Sequence, residues 1–124
     1  MNAENAAHNA IRQLVRDYVE GMVRADESLL RLAFHPNARI IGRFQALPEW
    51  LTLDDFVDAI RDRGPVLAPE QSPFWQIVSQ DVTDETAMVK VLDDYAGLRF
   101  TDYLSLMVLD GRWRIVNKLF HCHS

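Results

Sequence analysis

The order of amphipathic patterns along the chain predicts an α+β fold, in which three helices from the N-terminal half pack on the concave face of a curved antiparallel sheet. Three observations carry that prediction. Apolar residues recur at helical spacing between Glu4 and Ala25, short alternating runs fill the chain from Phe74 onward, and Asp110-Gly111 joins two of those runs as a tight hairpin.

In the first segment Ile11, Leu14, Val15, Tyr18, Val19, Met22 and Val23 form one apolar stripe, with Arg12, Arg16, Asp17, Glu20 and Arg24 opposite. That stripe needs a wide apolar partner, which the hairpin face supplies. Gly21 weakens the helix but permits a neighbour to come close. Asp26 is placed to cap a short second helix, Glu27 to Phe34, which Pro36 ends. Ala38 to Phe44 reads as a strand, and Leu47 to Trp50 as a loop or second short strand. Thr52, with Asp55 three residues on, opens a third helix with Leu53, Phe56, Val57 and Ile60 as its buried stripe, and Gly64-Pro65 stops it. Val66 to Ser72 reads as a surface loop. Phe74 to Val82 pairs through Asp84-Glu85 with Ala87 to Leu92, which runs on toward Tyr95. A long curved sheet closed on its concave side by helices makes a cone with a cavity at its open end.

The last hairpin fixes a register. With Asp110 and Gly111 as the loop of a type I′ turn, Val108 faces Trp113, Leu106 faces Ile115, Leu104 faces Asn117, Asp102 faces Leu119 and Phe100 faces His121. This is the more apolar face, so it is expected to turn inward. Thr101, Tyr103, Ser105 and Met107, with Arg114, Val116, Lys118 and Phe120, then turn outward. Asp102, Asn117 and His121 are the polar members of the inward set. An unpartnered buried polar group costs about 1–3 kcal/mol, so these three are expected at the wall of a wet pocket or in hydrogen bonds.

The chain of 124 residues is expected to form a single domain, 1–124, with 48% apolar and 25% charged residues. A net charge of −5 without a basic stripe argues against nucleic acid as partner. No apolar run reaches the roughly 20 residues that span a bilayer, and residues 1–13 lack a secretory pattern, so a cytoplasmic location is expected. The single cysteine, Cys122, excludes an internal disulfide. His121 and His123 share a strand face, but spacing supplies no third ligand, and neither a metal nor a cofactor is expected.

Each candidate has a plain structural alternative. Tyr18 lies on the apolar stripe, and its hydroxyl needs a partner whether or not a ligand is near. Asp102 is unusual at a core-facing position; pairing with Arg99 or Asn117 competes with a role in the pocket. Asn117 can orient a carbonyl or ring nitrogen, or pair a neighbour. His35 follows the second helix, where it can cap the last carbonyls. Met22, Trp50, Phe56 and Phe100 are wall candidates, suited to a flat conjugated ligand, or simply core.

The segments YVEGMVRADESLLRLAFHPNARI, LTLDDFVDAIR and TDYLSLMVLDGRWRIVNKLF together resemble the putative lumazine-binding branch of the nuclear transport factor 2-like superfamily, which includes SnoaL-like, ketosteroid isomerase-like and scytalone dehydratase-like proteins. The similarity runs from about Ile11 to Phe120. It implies a cone-shaped NTF2-like fold, a deep apolar pocket, a homodimer through the convex sheet face and a lumazine-type ligand. Ketosteroid isomerase-like members carry their base, a carboxylate, on the strand matching Ala38-Arg39-Ile40-Ile41-Gly42, where this chain has none. Tyr18 and Asp102 resemble positions from which such enzymes aim hydrogen-bond donors.

Three functions follow. The first is a module binding a small, flat, partly polar molecule through Tyr18, His35, Asp102, Asn117 and His121. The second is an isomerase, dehydratase or cyclase, with His35 or His121 as general base and Tyr18 or protonated Asp102 donating to a developing enolate. The third is an interaction domain whose cone is filled by its own side chains, Trp113 and Phe100 among them.

Overall fold

All seven apolar positions of the first stripe are buried on α1 (Ala3–Val23), the longest helix of a computed structural model that describes residues 3–123. Met1 and Asn2, the start of the segment read for a leader, and Ser124 lie outside the described residues. The side chain of Asp26 accepts from the Leu29 amide at 3.1 Å and starts α2 (Glu27–Ala33). A Cβ on Gly21 would lie 3.0 Å from Leu30, so the missing side chain lets α2 fold back on α1. Thr52 accepts from the Asp55 amide and opens α3 (Leu53–Arg63).

The sheet has six strands, β1 (Phe34–Phe44), β2 (Leu47–Thr52), β3 (Trp75–Thr83), β4 (Thr86–Tyr95), β5 (Leu98–Leu109) and β6 (Arg112–His123), in the order β2-β1-β6-β5-β4-β3. Every pairing is antiparallel except β1 with β6. The chain crosses from β2 through α3 to the far edge and returns by hairpins, which brings β6 beside β1 in the same direction. β1 starts at Phe34, earlier than expected; its register breaks between Phe34 and Arg39, and Pro36 falls within that irregularity rather than ending a helix.

The helices cover the inner face of the curved sheet. Val89 and Val91 of β4, Leu104 and Leu106 of β5, and Ile115 of β6 meet the stripes of α1 and α2 there. No helix of the described residues is long and apolar enough to cross a membrane.

The final hairpin turns where expected, with φ of 54° at Asp110 and 79° at Gly111. Its register holds as far as Leu106 opposite Ile115, and then Val116 bulges. Beyond it Leu104 faces Lys118, Asp102 faces Phe120 and Phe100 faces Cys122. One extra residue inverts the outer half of β6: Lys118, Phe120 and Cys122 are buried, whereas Leu119 and His121 are exposed and Asn117 lies outside, opposite Ser105.

Candidate functional site

An acid in the middle of an apolar sheet face needs a partner, and Asp102 finds one across the core. The Tyr18 hydroxyl donates to its Oδ2 at 2.6 Å, and both residues are fully buried. Arg99, the alternative partner, instead pairs with Asp94 on the surface. Burial first, then the negative charges of Asp102 and Asp93, raise the Tyr18 phenol well above its usual range, so it remains a neutral donor.

A second buried acid lies diagonally across the ladder. Asp102 pairs with Val91 on β4, and Asp93, two residues on, points to the same side. Asp93 is 1% exposed, and neither of its carboxyl oxygens has a hydrogen-bond partner in this arrangement; Oδ1 of Asp102 lacks one too. Burial is the main cause of a strong upward shift in Asp93, reinforced by Asp102 and opposed by Lys118. A proton on Asp93 turned toward Asp102 is the local bond that would serve both carboxyls.

Lys118 completes the buried polar set because of the Val116 bulge. Its ammonium lies 4.9 Å from the ring centre of Tyr18, 4.7 Å from that of Phe56 and 5.3 Å from that of Phe120. Such a cage holds a cation by the ring quadrupoles. The nitrogen also approaches Met22 Sδ at 3.6 Å, but it enters none of the ion pairs of the described residues.

Asp93 and Lys118 border a cavity of about 190 Å³ at the open end of the cone. Met22 of α1 and Phe56, Ile60 and Arg63 of α3 form one wall. Ile40 and Phe44 of β1, with Glu49 and Leu51 of β2, form a second. The floor is Asp93, Tyr95, Phe100, Lys118 and Phe120. The Tyr95 hydroxyl is buried and unpartnered, and the Arg63 guanidinium sits 5.8 Å from its ring. The surroundings are mainly apolar, five of the lining residues being aromatic, with the carboxyls of Glu49 and Asp93, the Lys118 ammonium, the Arg63 guanidinium and the Tyr95 phenol as the polar groups.

Of the residues singled out from sequence, Met22, Phe56 and Phe100 line this cavity, and Tyr18 and Asp102 form the buried pair behind it. Four do not join them. Trp50 is 75% exposed on the edge strand β2. His35 is half-buried at the start of β1, where its Nδ1 accepts from the Asn37 amide at 3.0 Å. Asn117 and His121 are turned away by the bulge; His121 packs against His123, whose Nε2 meets Thr101 Oγ1 at 2.7 Å. Neither His35 nor His121 borders this cavity. No group of three metal-ligating side chains occurs among the described residues. The cone is not filled by its own side chains: Phe100 lines open space, and Trp113 borders a groove beside the turn.

Asp93 and Lys118 were missed. Asp93 continues the Val89, Val91 alternation and was readable as inward; Lys118 faces inward only if β6 bulges. The set Lys118, Phe120, Cys122 is more apolar than Asn117, Leu119, His121, which is the one signal that favours the bulge.

Three helices on the concave face of a curved sheet, with a cavity at the open end, define an NTF2-like α+β protein. The profile of the putative lumazine-binding family matches residues 6–121, and the chain belongs to that family. An NTF2-like protein of unknown function from Silicibacter pomeroyi is 32% identical, with 98% of this chain and 100% of that chain covered and a TM-score of 0.91. Another, from Shewanella baltica, is 27% identical over 100% of this chain and 99% of that one, with a TM-score of 0.86. The chain is also 22% identical over 119 residues, 96% of its length and 94% of the relative's, to the aldolase FrzH of a Cladobotryum species.

Proposed function

We propose that the cavity binds a small, flat, partly polar organic molecule, with Asp93 and Lys118 as its polar anchors and Phe44, Phe56, Phe100 and Phe120 as its walls. The observation that carries this reading is Asp93: a buried carboxyl, with only the neighbouring acid Asp102 to share a proton, bordering open space together with an ammonium that enters no ion pair among the described residues. A group left so is costly unless something fills the space. The complementary ligand offers a hydrogen-bond donor or acceptor to Asp93 and an acceptor to Lys118 on one flat ring system. A lumazine-type ring, with its alternating carbonyl and N–H groups, has that chemistry, and the family description supports it. The size is compatible: a cavity of about 150 Å³ already holds a benzene ring.

Calorimetric titration with lumazine and related bicyclic heterocycles tests the reading. Binding should weaken about tenfold or more in Asp93→Ala and in Lys118→Met. Ligands that bind both variants as well as the wild type would remove these residues from the site.

A second reading, an enzyme acting on a carbonyl compound, is favoured by one feature. A buried carboxyl held above its usual range beside a cation in an apolar cavity is suited to moving a proton next to a carbonyl. The similarity to an aldolase points the same way. Deuterium uptake α to the carbonyl of small ketones, followed by NMR, tests it; uptake no faster than in buffer ends it.

We propose a homodimer through the outer sheet face, a reading supported by Met88, Tyr103, Met107 and Leu119, each 39–50% exposed there. Sedimentation of the wild type and Tyr103→Glu tests this: the wild type should run as a dimer and the variant as a monomer.

A further inference from the structure

The chain has two lysines, placed in opposite settings. Lys90 lies outside, its ammonium 5.6 Å from the centre of the Tyr103 ring. Lys118 is 5% exposed, borders the cavity, and among the described residues has the thioether of Met22 as its one hydrogen-bonding contact. A purely structural buried lysine would be expected to spend its donors on carboxylates or carbonyls; this one points them at aromatic rings and open space. A desolvated lysine in an apolar pocket, next to a group that can take its proton, is the arrangement in which an amine attacks a carbonyl.

We propose that Lys118 forms an iminium with an aldehyde or ketone bound in the cavity, an inference that rests on the cavity being the ligand site. In its ionised form, the Asp93 carboxylate takes one proton from the ammonium across the cavity that both residues line. The free amine adds to the carbonyl carbon, forming a C–N bond, and a proton moves from nitrogen to oxygen to give the carbinolamine. Asp93 returns its proton to the hydroxyl, the C–O bond breaks, and water leaves. The result is the protonated C=N on Lys118 and ionised Asp93, with no change of oxidation state. The cage of Tyr18, Phe56 and Phe120 fits both ends of this sequence, because the nitrogen is cationic as ammonium and again as iminium. Burial also makes the Asp93 carboxylate a stronger base than an exposed one, which eases the first transfer.

The test uses the full chain with benzaldehyde and cyanoborohydride near neutral pH, and peptide mapping of the benzyl group. Lys118 should be modified about tenfold or more faster than Lys90 in the native protein and at a similar rate in urea, and Asp93→Asn should slow it at Lys118 by a similar factor. Benzyl alcohol, which fills the same space but cannot form an iminium, is titrated in parallel and should protect Lys118. If benzyl alcohol binds while Lys118 reacts no faster than Lys90, the iminium is overturned and the cavity reading stands. If benzyl alcohol does not bind and Lys118 is unmodified, both fall. Equal rates in the wild type and Asp93→Asn would overturn the role given to Asp93.

Discussion

Tyr18 and Asp102, eighty-four residues apart in sequence, meet at 2.6 Å with both side chains fully buried. Among the described residues the phenol donates to Oδ2, and Oδ1 is left with the neighbouring Asp93 as its candidate partner. Tyr18→Phe keeps the ring and its packing on Phe34 but strips the hydroxyl, so we expect a loss of about 2–3 kcal/mol. Urea unfolding measures it, and a loss within a few tenths would mean that Asp102 is hydrogen-bonded by some other route.

Asp93 gives stability a pH dependence of unusual sign for an acid. Its folded value lies above its unfolded one, so between the two the folded state binds more protons than the unfolded state. Stability from this residue is therefore full below the ordinary carboxylate range, about 3.9, and declines as pH rises through the raised folded value. Asp93→Asn should flatten the decline, leaving the variant relatively more stable at the alkaline end. Melting temperatures of both proteins from mildly acidic to mildly alkaline pH provide the comparison; parallel curves would contradict the assignment.

Gly42 of β1 pairs with Phe120 of β6. A Cβ there would fall 2.2 Å from the carbonyl oxygen of Phe120 and 2.5 Å from its ring, so backbone as well as side chain would have to move. We expect Gly42→Ala to cost about 3 kcal/mol, the upper end of overpacking, and to shift Phe120 at the cavity floor. A variant as stable as the wild type would show that the two strands separate easily.

Thr52 caps the helix that carries Phe56, Ile60 and Arg63 to the cavity, accepting from the Asp55 amide at 3.1 Å. Thr52→Ala should lose about 1 kcal/mol in urea unfolding, and Thr52→Ser should recover most of it. Equal stability of all three proteins would argue that water replaces the cap.

The candidate site was half readable before the fold was known. Tyr18, Met22, Phe56 and Phe100 fall on stripes whose period is set by local geometry, and Asp102 was marked by being an acid among Leu104, Leu106 and Phe100. An unbroken alternation along β6 puts Asn117 and His121 on the cavity face, and the bulge at Val116 reverses them. Neither the aromatic character of Trp50 nor the place of His35 after the second helix says that β2 is an edge strand or that His35 turns to its own loop.

By itself the sequence determined the helices, their caps, the Asp110-Gly111 turn and the α+β order, because each depends on interactions within a few residues along the chain. Only the tertiary structure decided which acid and which cation share the cavity. Asp93 and Lys118 come together through strand pairing, and a single inserted residue in β6 exchanges its two faces; whether a strand bulges is set by the neighbours it must match on both sides, β1 and β5, and not by its own residues alone.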